Sequence, residues 1–241
     1  MPPAARVSIL MPCYGLAGSI AANIDRVVAA TAAEPGIEVV VADDGSTDGT
    51  LQEAERAAAR HPGVLVVANP QNAGKGRALQ RAFAASHGEI VVFLDGDLDL
   101  PPEQIPALVA ALREGGWDAL LGAKRGALAS GGYPVARRVL SRVYSAAIRL
   151  AFRLPVSETQ TGLKAFRREP LEATLPRVQI ARYAFDVELA VLLQRAGYRI
   201  GEFPVQLEVQ ASASRVILGT LWEMGRDTAR LWGRIFLRRR V

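Results

Sequence analysis

The stretch IEVVVADDGSTDGTLQEAERAAARHPGVLVVAN, residues 37–69, contains an apolar β-branched run, an acidic glycine-containing turn, an amphipathic run and a second apolar run. This order predicts a strand, a helix and another strand. The same alternation extends outward, from RVSILMP at residues 6–12 to EIVVFLD at residues 89–95. Such alternation predicts an α/β fold whose mostly parallel central sheet is doubly wound and flanked by helices through about residue 125.

The pattern beyond residue 125 is less regular, but it still predicts two helices and two strands. The helices are expected at residues 134–155 and 184–197, and the strands at residues 161–169 and 199–209. The first boundary falls near residue 213. We therefore expect one domain at residues 1–213 and a basic amphipathic C-terminal helix at residues 214–241.

The positive charge of the chain is concentrated at its C-terminus. The formal net charge is +5, and residues 215–241 carry seven arginines against two acids. On a helical wheel four of these arginines share one face, and apolar residues that include Trp232 and Phe236 occupy the other. The shared arginines are Arg226, Arg230, Arg234 and Arg238. This pattern fits equally a helix that lies on a membrane surface and a helix that packs on its own domain or on a second subunit.

Composition argues against several classes of protein. Arginines 142, 149 and 153 interrupt the longest apolar stretch, so we expect no membrane-spanning helix. The single cysteine, Cys13, excludes an intrachain disulfide. The turn DDGSTDGT resembles a calcium loop, but a strand precedes it where that loop needs a helix. The basic tail could serve a nucleic-acid-binding module, but this reading leaves the acidic motifs unexplained, so no nucleic-acid partner is expected.

Acidic side chains follow two of the predicted strands. VVFLDGDLDLPPE, residues 91–103, places Asp95, Asp97 and Asp99 at alternate positions, and Asp43 and Asp44 end another strand. A solvated acidic turn is the ordinary interpretation of one such motif. Several carboxylates together are unfavourable unless a cation neutralises them, and oxygen ligands suit Mg²⁺ or Mn²⁺. Parallel sheets bind ligands at the carboxyl ends of their strands, so we expect a divalent metal site there.

Other catalytic signals are few. Lys75, in NAGKG, falls at a strand-to-helix junction where backbone amides could face an anion. The two histidines, His61 and His87, lie in predicted surface turns, and Cys13 has no evident partner. Metal and basic groups without a histidine base or a nucleophile favour transfer onto an acceptor that is already anionic.

Seven motifs taken in order resemble the family 2 glycosyltransferases, over roughly residues 6–215. They are SILMPCY, VVVADDGSTDGT, NAGKGRAL, VVFLDGDLDLPPE, GAKR, ETQTGLKAFRRE and YAFDVELAVLLQRAGYRIGEFPV. The most similar branch is that of the dolichol- or polyprenyl-phosphate mannose and glucose synthases. The resemblance implies the GT-A nucleotide-sugar-binding fold. It also implies an inverting hexosyl transfer from UDP-glucose or GDP-mannose to a polyprenyl or dolichyl monophosphate, with Mg²⁺ or Mn²⁺.

The resemblance also implies roles for individual residues. Asp95 and Asp97 would bind the metal and the donor diphosphate, with Asp99 close to the metal. The implied catalytic set is Asp97, Arg125 and Arg137, the two arginines holding phosphates. The implied substrate-binding set is Pro12, Tyr14, Asp43, Asp44, Lys75, Asp95, Glu158, Thr161, Gly162 and Arg215.

The implied acceptor explains the absent base, because a phosphomonoester has a second pKa of about 6 and its oxygen is nucleophilic at neutral pH. A saccharide or protein acceptor is the alternative, and it would need a carboxylate base, for which Glu158 is the candidate. Two departures from relatives are Gly15–Leu16 near the nucleotide and Glu158 in place of an aspartate. We expect a cytoplasmic protein, peripheral on the inner face of the membrane, with a separate membrane-protein partner or a second copy of itself as possible companions.

Overall fold

The computed structural model describes residues 7–124, 135–182, 184–207 and 218–236, without the side chains of residues 135–142 and 218–223. The strands are β1 (Val7–Cys13), β2 (Ile37–Asp43), β3 (Val64–Ala68), β4 (Ile90–Leu94), β5 (Ala119–Ala123), β6 (Leu163–Arg167) and β7 (Ile200–Pro204). The helices are α1 (Ile20–Thr31), α2 (Thr50–Ala58), α3 (Lys75–Ala84), α4 (Ile105–Glu114), α5 (Val135–Phe152), α6 (Arg168–Thr174), α7 (Phe185–Arg195) and α8 (Leu218–Phe236). Two 3-10 turns, Pro102–Gln104 and Leu175–Arg177, precede α4 and follow α6.

The seven strands form one sheet in the order β3-β2-β1-β4-β6-β5-β7. Strands β1 to β4 pair in parallel, as do β5 and β7. Strand β6 runs antiparallel to both of its neighbours. The mostly parallel, doubly wound sheet predicted from the sequence is therefore confirmed, with one antiparallel strand that the apolar pattern does not distinguish.

Helices cover both faces of the sheet. One buried cluster joins α1, α2 and α4 to the sheet, and the other joins α3, α5, α7 and α8 to the opposite face. The central strands are buried on both faces, as the continuous run of buried residues in β1 and β4 shows. This explains why their sequences are uninterrupted apolar runs rather than alternating ones.

Helix α8 packs against its own domain. Leu231 and Ile235 are 1% and 3% exposed and belong to the core, and the hydroxyl groups of Tyr144 and Thr228 lie 2.9 Å apart. Arg234, assigned to the polar face of the wheel, donates to buried Glu188 at 2.5 Å. The helix therefore buries one apolar stripe and pairs one arginine with a buried acid. The boundary near residue 213 lies outside the described residues and stays a prediction.

Two predicted segments end differently in the structure. The strand expected at residues 161–169 is β6 only to Arg167, and the remaining residues begin α6. The strand expected at residues 199–209 is β7 only to Pro204, since its partner β5 ends at Ala123, opposite Pro204. No helix in the part of the chain that the structure describes is long and apolar enough to span a bilayer.

Candidate active site

The acidic motifs lie at the point where the order of the strands in the sheet reverses. Strands β2 and β3 lie on one side of β1, and β4 lies on the other side. The carboxyl ends of β1 and β4 therefore form a topological switch point. Asp43 ends β2 opposite Cys13 at the end of β1, and Asp95 directly follows β4. The amide of Gly96 donates to the carbonyl of Pro12 at 3.1 Å, which ties the acidic turn to β1. Both acidic turns therefore lie at the carboxyl edge of the sheet, on either side of β1.

Asp43 and Asp44 organise the loops of the site. The carboxylate of Asp43 accepts from the amides of Gly45 and Ser46 at 3.1 and 3.0 Å and from the Ser46 hydroxyl. The carboxylate of Asp44 accepts from Asn69 Nδ2 at 2.8 Å and from two amides of the loop that enters α3. Asp43 is 1% exposed and Asp44 is 4% exposed. Contact of Asp43 with a nucleotide stays a prediction.

Lys75 begins α3 and points to the acidic turn. Its Nζ lies 2.6 Å from Asp95 Oδ1. The preceding Gly74 has φ of +99°, a conformation that side chains rarely adopt. A Cβ at Gly76 would lie 2.4 Å from the Phe185 ring, so this helix end approaches α7 as closely as a glycine allows. These contacts fix Lys75 beside Asp95.

Lys75 and Asp95 each stabilise the charged form of the other. Burial disfavours the charged lysine, but the carboxylates of Asp95 and Asp186 outweigh it and hold the pKa of Lys75 above its ordinary value. Burial likewise disfavours ionised Asp95, and the charge of Lys75 outweighs it, so the pKa of Asp95 is lowered. Asp95 is therefore ionised and already paired with a cation.

Asp97 and Asp99 are compensated only in part, by the charges of Lys75 and Lys124 respectively. Partial burial, with the charges of Asp95 and Asp99, raises the pKa of Asp97 to about 6. Burial and the charge of Asp95 raise the pKa of Asp99 as well. Leu98 between them is 1% exposed and has φ of 52°, a strained conformation for a leucine that is held by its burial. Strained backbone of this kind is typical of functional sites.

The donor set fits a hard divalent cation that also binds phosphate. Among the described residues, no three acidic, histidine or cysteine side chains are close enough to hold a metal ion alone. Mg²⁺ and similar ions commonly take only one or two carboxylates and complete their ligands with water and substrate phosphates. Two carboxylates that are compensated only in part, Asp97 and Asp99, match that requirement. A part for Asp95 as a third metal ligand stays a prediction, since its Oδ1 contacts Lys75.

The predicted acceptor segment lies directly against Asp95. A Cβ at Gly162 would be 2.5 Å from Asp95 Oδ2, so the glycine is required by close approach. Thr161 is fully buried and its hydroxyl donates to the carbonyl of Gly122. Glu158 accepts from the Lys124 amide at 3.0 Å, and its other oxygen lies 3.5 Å from Lys124 Nζ. Glu158 is thus engaged with the end of β5.

The remaining predicted residues are placed less fully. Pro12 lies within β1, and Tyr14, just beyond that strand, is 53% exposed. Arg125 and Arg215 lie outside the described residues, and so does the side chain of Arg137, whose backbone belongs to α5. Their assignment to phosphate binding stays a prediction.

The structure adds a buried pair that the motif reading did not single out. Lys164 Nζ lies 2.8 Å from Asp186 Oδ1, and the two side chains are 2% and 9% exposed. Burial, partly offset by Asp186, lowers the pKa of Lys164. A lysine between buried Leu163 and Ala165 in a central strand was the available signal in the sequence.

A cavity of about 730 Å³ lies apart from these acids, between α8 and residues 179–182. Its charged lining consists of Arg182, Arg230, Arg234 and Asp227. None of the predicted site residues lines it. The site is therefore located by the chemistry of its side chains and by the switch point of the sheet.

Comparison with known proteins shows the family to which the chain belongs. A family model for glycosyl transferase family 2 matches residues 8–175. Glycosyltransferase AglD of Haloferax volcanii is 34% identical over 239 residues, which are 98% of this chain and 38% of the relative. Undecaprenyl-phosphate mannosyltransferase of Micrococcus luteus is 30% identical over 237 residues, 95% of this chain and 94% of the relative.

A solved structure shares the fold. The mannosyltransferase PcManGT of Pyrobaculum calidifontis, in complex with GDP-Man and Mn²⁺, is 26% identical with a TM-score of 0.67. The match covers 97% of this chain and 64% of that one. The expected GT-A fold is confirmed. Since the family model covers more than half of the residues and the M. luteus relative is matched almost end to end, the chain belongs to glycosyl transferase family 2.

Proposed function

We propose that the protein is an inverting, metal-dependent glycosyltransferase that moves glucose or mannose from a nucleotide sugar to a polyprenyl or dolichyl monophosphate. Family membership and the M. luteus relative, whose name states an undecaprenyl-phosphate acceptor, support the reaction class. The chain spans only 38% of AglD, so the comparison supports the activity of this domain alone. UDP-glucose and GDP-mannose are both retained as donors.

The observation that carries the proposal is the state of Glu158. A saccharide or protein hydroxyl must lose a proton during transfer, and general bases contribute about 10² to 10⁴-fold to such reactions. Glu158, the acid that the sequence offers for this role, instead binds the backbone and ammonium of Lys124. An acceptor phosphate brings its own nucleophilic oxygen, so it needs no base. This favours the prenyl phosphate over the alternative acceptors.

The donor end of the site is built for a diphosphate. Asp97 and Asp99 would hold Mg²⁺ or Mn²⁺, and the start of α3 places Lys75 beside Asp95. When bound, the metal ion stabilises negative charge on the departing nucleoside diphosphate. Arg125, Arg137 and Arg215 are proposed to contribute positive charge to the phosphates. In-line attack by the acceptor oxygen inverts the sugar carbon.

Glu158→Gln tests the absence of a general base. Glutamine keeps an oxygen that can accept from the Lys124 amide, so the variant preserves that hydrogen bond while it removes the basicity and the charge that faces Lys124 Nζ. We expect kcat for transfer to polyprenyl phosphate to stay within about tenfold of the wild type, less than the loss of a general base causes. A loss of about 10²-fold or more, with unchanged donor binding, contradicts the proposed acceptor and favours a hydroxyl.

A lipid-linked acceptor requires the protein to reach a lipid surface. Helices α5 and α8 expose apolar side chains that suit this contact. Leu150 and Val143 of α5 are 79% and 59% exposed, and Trp232 and Phe236 of α8 are 41% and 46% exposed. The rings of Trp232 and Phe236 are 5.3 Å apart. We propose that this apolar surface lies on the cytoplasmic face of the membrane, where neighbouring arginines meet anionic headgroups. A second copy or a separate membrane protein would cover the same residues.

Leu150→Glu combined with Trp232→Glu tests this surface. The charges oppose insertion into the interface, so we expect binding to phosphatidylglycerol-containing vesicles in a sedimentation assay to fall at least about tenfold. Leu65→Glu is the matched control, because Leu65 is 45% exposed on edge strand β3. Unchanged vesicle binding contradicts the proposal. A wild-type dimer that the double variant dissociates, measured without lipid, assigns the surface to a second copy instead.

A further inference from the structure

Lys164 is a buried ammonium group in the middle of the sheet. It occupies β6 opposite Phe93 of β4, and its side chain is 2% exposed. Removing an ammonium group from water is unfavourable unless its hydrogen bonds and its charge are satisfied. Two acceptors satisfy it here, Asp186 Oδ1 at 2.8 Å and the carbonyl oxygen of Thr161.

The second of these acceptors belongs to the segment that borders Asp95. Three contacts fix that segment: Lys164 holds the Thr161 carbonyl, the Thr161 hydroxyl donates to Gly122, and Gly162 lies against Asp95. The first joins the segment to β6 and α7, and the second joins it to β5. Without Lys164, the Thr161 carbonyl would lose its cationic partner in a place closed to water.

The position of the ammonium group also matters for charge. Lys75 pairs with Asp95 and Lys164 with Asp186, so these four charges cancel, whereas Asp97 and Asp99 are compensated only in part. An uncharged residue at position 164 would leave Asp186 to attract Lys75, whose ammonium group already feels the charge of Asp186. Lys164 thereby protects the contact between Lys75 and Asp95.

We propose that Lys164 is a positioning residue: held by Asp186, its ammonium group fixes the Thr161–Gly162 segment against the Asp95 carboxylate. The inference rests on the proposed function, because this segment is the one expected to face the acceptor. Lys164 itself is closed off from the substrates and acts through the backbone that it binds.

The test removes both charges together. Lys164→Met with Asp186→Leu replaces a buried ion pair by apolar side chains, which proteins commonly tolerate, whereas a single change leaves one charge buried and unpaired. We expect the double variant to fold and to bind Mn²⁺ with GDP or UDP within about threefold of the wild type. Transfer is expected to slow at least about tenfold, since a displacement of about 1 Å can cost 10²-fold.

A second readout follows the segment itself. Amide hydrogen exchange across residues 158–163 is expected to quicken in the double variant. Glu38→Gln is the control for stability alone, because Glu38 accepts from Ser8 and Gly88 at the opposite end of the sheet. It should lower the melting temperature without changing transfer or exchange at residues 158–163.

Faster exchange and slower transfer with intact nucleotide binding support the role of Lys164. Unchanged exchange at residues 158–163, or transfer within about threefold of the wild type, overturns it. If the wild type itself does not glycosylate polyprenyl phosphate, the proposed acceptor fails. The exchange measurement on the same proteins still decides the role of Lys164.

Discussion

Asp97→Asn is expected to lower kcat/KM for sugar transfer by about 10³-fold or more, the largest effect of any single change in the described site. Lysines offset the charges of Asp97 and Asp99 only in part, so a bound cation gains most from these two carboxylates. A metal ion contributes several kcal/mol to charge stabilisation during transfer. About 4 kcal/mol corresponds to roughly 10³-fold in rate.

The fold should not suffer from this change. Because the pKa of Asp97 is raised to about 6 in the folded protein, its ionised form is disfavoured there, and this unfavourable contribution is present above that pH. Removing the charge should leave the melting temperature at pH 7.5 unchanged or higher. Asp25→Asn is the matched control, since Asp25 pairs with Arg60 and His61 away from the site. More than a tenth of wild-type activity in Asp97→Asn contradicts a metal role for this carboxylate.

Gly162→Ala is expected to reduce transfer by about 10²-fold through geometry alone. The added methyl group would lie 2.5 Å from Asp95 Oδ2 and 2.8 Å from its Cγ, well inside contact distance. Either the acceptor segment or the Asp95 side chain must move. A shift of the segment displaces the residues expected to face the acceptor and lowers kcat. A shift of Asp95 also disturbs its pairing with Lys75 and lowers the affinity for the nucleotide sugar.

Gly225→Ala gives the comparison for this substitution. Gly225 lies in α8, where an added Cβ meets nothing within 4 Å, and alanine favours a helix by about 0.5–1 kcal/mol over glycine. It should be active and at least as stable as the wild type. Steady-state kinetics of both variants decide the matter. Wild-type kinetics in Gly162→Ala would show that close approach to Asp95 is unnecessary for the reaction.

The sequence predicts the parallel half of the sheet well because its strands are buried on both faces. IEVVVAD and EIVVFLD are continuous β-branched or aromatic runs, and they match β2 and β4 within a residue or two. Strand β5, ALLGA, has no β-branched residue and is short, so periodicity alone could not separate it from a helix end. The antiparallel direction of β6 depends on how the chain returns to the sheet, which the apolar pattern does not encode.

The site is predictable in its acids and less so in its cations. The alternate positions of Asp95, Asp97 and Asp99 after a strand are visible in the sequence, but their different electrostatic states are not. Lys75 neutralises one of them through a contact across 20 positions of the chain. Lys164 and Asp186 meet only because β6 and α7 pack together.

The C-terminal helix shows the same limit. Its amphipathic pattern is correct, yet a helical wheel cannot tell which apolar residues enter the core and which stay outside. Leu231 is buried, whereas the adjacent Trp232 is 41% exposed. Arg234 belongs to the polar face of the wheel, yet it pairs with the buried Glu188 of α7.

The most direct test of the central claim is the transfer of label into lipid. Purified protein with Mn²⁺ is incubated with radiolabelled GDP-mannose or UDP-glucose, with polyprenyl phosphate or with unphosphorylated polyprenol, and the organic phase is counted. We predict label in the lipid from one donor, only with the phosphorylated acceptor, and none with Asp97→Asn. Label from neither donor, or equal labelling of polyprenol, contradicts a transferase whose acceptor phosphate is its own nucleophile.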